Sequence, residues 1–106
     1  MKGNKLFSRA IDDKFGCYVM IKSIKSIKST PYDLYFGFTV EEEFGVRGAR
    51  TAGFDIYPDF AIALDVTPSG DEHGKVSKEV YLGKGTAIKI MDGGNVCNKQ
   101  IVKALV

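Results

Sequence analysis

The sequence predicts an α/β domain, a mainly parallel mixed sheet with flanking helices. Three observations predict it. Short apolar runs rich in β-prone residues recur at 34–40, 60–66 and 87–91. Each is apolar on both faces, as strands covered by helices are. The segments around them carry helix-start and helix-stop signals, so strands and helices alternate.

Taken in order, residues 1–8 are basic and short, and Lys5 to Ser8 suits a strand end. Ser8 can cap a helix, while Asp12, Asp13 and Gly16 delay its start. From about Asp13 to Ser29, Phe15, Tyr18, Val19, Ile21, Ile24 and Ile27 can share an apolar face, and Pro31 ends the element. The tripeptide IKS occurs three times here. A period of three drifts by about 60° per repeat on an α-helix, so Lys22, Lys25 and Lys28 spread over a broad outer face. Without interleaved aromatics, that face reads as solvated rather than as a polyanion patch.

The central stretch is Asp33 to Gly45, DLYFGFTVEEEFG. Its apolar half is a buried strand by pattern, and it stops at Glu41, Glu42 and Glu43. Gly45 to Ala52 suits a short helix with Gly53 as its stop. Phe60 to Val66 is a second apolar strand, with Asp65 at its end. Thr67 to Lys78 is a polar loop that holds the single histidine, His73, which reads as a surface residue. Ala87 to Met91 is a third strand before Asp92-Gly93-Gly94. Asn95 can cap a last helix, Val96 to Val106, whose apolar end points to truncation or to a partner surface.

The 106 residues suffice for one domain or a piece of one. A net charge of +2 is too balanced to imply a nucleic-acid or membrane partner. The N-terminus lacks the apolar core of a signal peptide and no stretch suits a membrane span, so the expected location is cytoplasmic. Cys17 and Cys97 have no metal-site spacing and read as buried, reduced thiols, with one disulfide as the alternative.

Sites in open α/β sheets form at the carboxyl ends of strands. Glu42 and Glu43 end one predicted strand and Asp65 another, so parallel strands would bring them to one edge. Neighbours on an extended chain point apart, so one glutamate can hold a cation while the other faces substrate. A hydrolase that uses metal-activated water needs both tasks done. A further acid can come from Asp12 or Asp13.

Four segments, SRAIDDKFG (8–16), FTVEEEFGVRGA (38–49), ALDVTPSGD (63–71) and LGKGTAIKIMD (82–92), resemble the tetrahedral aminopeptidases. That family of dinuclear metallopeptidases also goes under the names glutamyl aminopeptidase, cellulase and endoglucanase. Their order and spacing fit as well, and together they cover most of the chain. The resemblance implies an incomplete α/β metallopeptidase catalytic domain over 1–106, two divalent metals (zinc or cobalt), and removal of N-terminal residues from peptide substrates. It implies Asp12 as the ligand shared by both metals, with a cis Asp12–Asp13 peptide. It implies Glu43 and Asp65 as further metal ligands and Glu42 as the general base. Glu41 stands where relatives often have Gln and is implied to be a non-ligand. Gly83-Lys84-Gly85 resembles a substrate-side loop.

The family also places a His-x-Asp pair upstream of the position of Ser8, another His near its C-terminus, and an oligomerisation domain before the Asp-Asp segment. His73 matches no family ligand. Two readings follow. The chain is the central part of such an aminopeptidase, inactive alone, with the missing enzyme segments or a homo-oligomer as the expected partners. Alternatively it is a non-catalytic assembly module that binds a protein through exposed apolar edges.

Overall fold

A computed structural model describes residues 3–71 and 80–106, so His73 and much of the polar loop lie outside the described residues. The chain divides into two units, Met1–Val66 and Thr67–Val106.

The first unit contains two helices. Helix α1 spans Ile11–Ser26, but Asp12 and Asp13 depart from helical dihedrals, so regular helix begins at Lys14. Asp13 Oδ1 accepts the Gly16 amide at 2.8 Å. Asp13 thus does the N-cap work predicted for Ser8, satisfying an amide that has no partner within the helix. A Cβ on Gly16 would collide with the Asp13 carboxylate, and Gly16 is buried. In the IKS repeats, Ser23 donates to the Val19 carbonyl at 3.0 Å and Ser26 to the Ser23 carbonyl at 2.9 Å. Lys28 lies past the end of the helix.

Helix α2 spans Arg47–Ile56. It runs through Gly53, which was expected to stop it, and ends at Tyr57, whose left-handed backbone (φ 48°) closes it with a 3.0 Å bond to the Gly53 carbonyl. Its start is built by the chain folding back on itself. The Arg47 amide donates to the Glu41 carbonyl at 3.3 Å and the Gly48 amide to the Val40 carbonyl at 3.1 Å. Two amides left over at the helix start are satisfied by the preceding segment.

The second unit contains a tight turn and helix α3, Lys99–Leu105. Asp92 Oδ1 accepts the amides of Gly94 and Asn95, both at 2.8 Å, and Met91 and Val96 form an isolated antiparallel bridge. Asp92 lies below the usual carboxylate range, chiefly because of the Gly94 amide, then the Asn95 amide and the Lys89 ammonium. Asn98, not Asn95, caps α3, its side chain accepting the Gln100 amide at 2.8 Å. Asn98→Ala is expected to cost about 0.5–2 kcal/mol of helix stability. Loss of hydrogen-exchange protection at Gln100 and Val102, with Asn95→Ala neutral for α3, is the check.

The predicted mainly parallel sheet is absent among the described residues. No strand forms there, and pairing is limited to isolated bridges. The segments 34–40, 60–66 and 87–90 are extended or irregular, without ladder partners. Apolar patterning predicts an extended segment, but a strand also needs a neighbour to take up its amides and carbonyls. These segments leave their side chains outside any core, with Val40 71%, Phe60 75% and Ile62 64% exposed. The predicted apolar face of α1 is likewise exposed at Phe15, Tyr18, Ile21 and Ile24, with Val19 half-buried. Cys17 is exposed rather than buried, and both cysteines are free thiols. No described helix is long and apolar enough to cross a membrane.

Candidate functional site

The first unit carries all four acids singled out in the sequence. Asp12 sits at the entry to α1, Glu42 and Glu43 in the loop before α2, and Asp65 near the unit's end. The loop is fixed by its own backbone. The Glu42 carbonyl accepts the amides of Gly45 at 3.0 Å and Val46 at 2.9 Å, below the two bonds from Arg47 and Gly48. This turns the chain back after Val40 and puts Glu42 and Glu43 in the bend.

Glu42 is the electrostatic focus. Its carboxyl is pushed up from the ordinary glutamate value, first by lost hydration, then by the negative charges of Glu43, Asp65, Asp12 and Asp13. These acids come from three separated parts of the sequence, and their fields meet at Glu42. Sequence reasoning left Asp12 and Asp13 as alternatives until the resemblance favoured Asp12. The structure gives Asp13 a separate task as the cap that holds the Gly16 amide. The Asp12–Asp13 peptide is cis, as the resemblance implied. Glu41, implied to be a non-ligand, is paired with Arg47, Oε2 to Nη1 at 3.4 Å.

Among the described residues, the charges that raise Glu42 are all acidic. Carboxylates alone are all-oxygen donors, suited to divalent cations and harder in character than the imidazole or thiolate sets typical of zinc. A cation would offset the accumulated negative charge, so these residues fit one in charge and donor type. Among the described residues, however, no group of three or more His, Cys, Asp or Glu is placed so that it could hold a metal ion. The Gly83-Lys84-Gly85 loop belongs to the second unit, where Lys84 and Gly85 line a shallow recess of about 90 Å³ with Val80, Tyr81, Thr86 and Ala87.

The raised Glu42 value has a consequence for stability. A carboxyl with a higher pKa folded than unfolded favours the fold while protonated, below the unfolded value of about 4.3. That contribution is lost as pH rises through the folded value. Glu42→Gln is therefore expected to become progressively stabilising, relative to the parent, as pH rises from about 4 to 7 in chelator. Urea midpoints of the two proteins against pH measure it, and a pH-independent difference would contradict the electrostatic gathering.

Comparison with known proteins gives a consistent picture. The family model described as M42 glutamyl aminopeptidase matches residues 1–106. A candidate aminopeptidase of Acetivibrio thermocellus is 46% identical over 105 residues, 99% of this chain and 32% of that protein. The lysyl aminopeptidase of Pyrococcus furiosus is 38% identical, over 86% of this chain and 25% of its own length. The glutamyl aminopeptidase of Lactococcus lactis is 31% identical, over 89% of this chain and 26% of its own. The chain thus spans about a quarter to a third of the length of these curated relatives. No solved structure matches it.

Proposed function

Because the chain belongs to the M42 glutamyl aminopeptidase family, we propose that it supplies the acidic part of a site that removes N-terminal residues from peptides. The observation that carries this reading is the family match over residues 1–106, and the negative charges of Glu43, Asp65 and Asp12 that raise Glu42 are consistent with it. In the proposal Asp12, Glu43 and Asp65 hold two divalent ions, and Glu42 is the general base. The ions, zinc or cobalt, supply Lewis acidity at the scissile carbonyl and to the attacking water when bound. Glu42 takes a proton from that water and delivers it to the departing amine. Its exposure lets it reach substrate. Asp13 holds the start of α1 and so the position of Asp12.

The test is turnover of Leu- and Glu-anilides by the protein in its natural assembly with cobalt or zinc added, together with anomalous scattering at the metal edge. Turnover with metal peaks beside Asp12, Glu43 and Asp65 is expected. Metal bound elsewhere, or turnover that is indifferent to a chelator, would overturn the assignment.

A second reading, an assembly module without catalysis, is favoured by the exposure of Phe60 and Ile62 in an unpaired segment. It displaces the first if the metal-loaded assembly forms and leaves both anilides intact.

A further inference from the structure

Among the described residues no apolar side chain is buried, and those left outside do not form one patch. In the first unit they include Phe54 and Tyr57, 83% and 89% exposed at the carboxyl end of α2, and Phe60 in the stretch that follows. In the second they include Met91 and Val96, which face each other across the isolated bridge. Each of the three helices carries exposed large apolar side chains of its own. Folded monomers rarely expose a contiguous apolar patch above a few hundred Å².

The areas say how much cover is needed. The chain exposes 10098 Å². A folded monomer of 106 residues exposes about 5,800 Å². Two separately folded bodies divided at Val66 would still expose only about 7,000 Å². The excess is about 3,000 Å², whereas an obligate dimer covers about 1,000–2,500 Å² on each partner. A two-fold dimer also covers one patch, the same on both copies. Apolar side chains on every helix and in both units require cover from several sides, which one copy docking on another does not provide.

We propose that these apolar side chains form the inner surface of a larger domain. Their occupant is M42-type polypeptide, equivalent to the part of the relatives that this chain does not span. The match to the Acetivibrio thermocellus protein runs over 99% of this chain but only 32% of that protein. In that relative, a segment similar to this chain shares one polypeptide with enough further chain to enclose several faces at once. The inference rests on the family membership and is independent of the catalytic reading.

The experiment swaps this chain into the Acetivibrio thermocellus relative in place of the 105 residues it matches. In a second arm the isolated chain is mixed with that relative lacking those residues. Hydroxyl-radical footprinting, read by mass spectrometry against a free peptide standard, reports the exposure of Phe54, Tyr57, Phe60 and Met91. Labelling of these four is expected to be several-fold slower in the chimera than in the isolated chain. The same slowing in the mixture shows that a separate polypeptide can supply the cover, and slowing in the chimera alone shows that the cover must be covalently continuous. Equal labelling in chimera and isolated chain overturns the proposal, as does a chimera that does not fold. Labelling of the isolated chain that falls as its concentration rises, with a dimer by light scattering, assigns the surface to a second copy and overturns it too. A chimera that protects the four side chains yet leaves Leu- and Glu-anilides intact keeps this proposal and fails the catalytic reading.

Discussion

Glu42→Gln is expected to lower kcat for anilide hydrolysis by about 10²–10⁴-fold, the usual range for a lost general acid–base group. The amide keeps the size and polarity of the side chain but cannot accept the proton. At about 1.4 kcal/mol per tenfold, this is a barrier increase of about 3–5 kcal/mol. Cation uptake is expected to persist, since Asp12, Glu43 and Asp65 remain. KM should change little, because the loss falls on proton transfer rather than on peptide binding. The variant should also lose the acid limb of the kcat/KM profile, which reports the protonation of the free base. Paired measurements of kcat/KM against pH and of cobalt binding by calorimetry separate the outcomes. Unchanged turnover removes Glu42 from the role of base. Lost cation uptake with lost turnover makes Glu42 a ligand instead.

How far this site was legible in the sequence depends on the kind of information required. The acids were singled out because each stands beside a marked local change: Glu42 and Glu43 where an apolar run stops, Asp65 near the end of another, Asp12 before a helical face; their roles rest on the family resemblance. The capping role of Asp13 was not legible from pattern. It depends on one hydrogen bond from the Gly16 amide and on the missing Cβ that lets the Asp13 carboxylate lie there. The Asp-x-x-Gly spacing at the start of α1 was the available signal. Arg47 was also missed, since a six-residue separation suggests contact only once the loop is known to close on itself.

The helices α1 and α2 were legible in type and approximate place, because helix formation is governed by neighbours within a few residues. Their ends were less so. Gly53 resembled a stop, but a glycine in an exposed helix weakens it without ending it. Asn95 resembled a cap, but it lies in the turn held by Asp92, and α3 starts only at Lys99, where the Asn98 side chain accepts the Gln100 amide. The sheet was the largest error, for a different reason. Residues 60–66 carry every local property of a buried strand, and what they lack is a neighbour. Strand formation is a property of at least two segments, and a one-segment pattern cannot supply the second.

Gly48→Ala is expected to be among the more damaging single-methyl changes in the first unit. A Cβ built there lies 2.6 Å from the Val40 carbonyl oxygen, 2.8 Å from the Val40 nitrogen and 3.2 Å from the Thr39 Cβ. Two of those atoms are main chain, so no rotamer change relieves the clash. Overpacking of this kind costs about 1–3 kcal/mol. Relief requires Val40 to move away from α2, which breaks the Gly48-to-Val40 bond and opens the loop that carries Glu42 and Glu43. Turnover should therefore fall along with stability, since small displacements of a catalytic group are costly. Gly53→Ala is the control within the same helix. No atom lies within 4 Å of its added Cβ, so alanine there should stabilise by about 0.5–1 kcal/mol through helix propensity alone. Urea midpoints measured at unchanged m-value should move in opposite directions for the two variants. If both glycines respond alike, propensity rather than close approach governs the start of α2, and the fold-back of Val40 onto Gly48 is not what holds the acids in place.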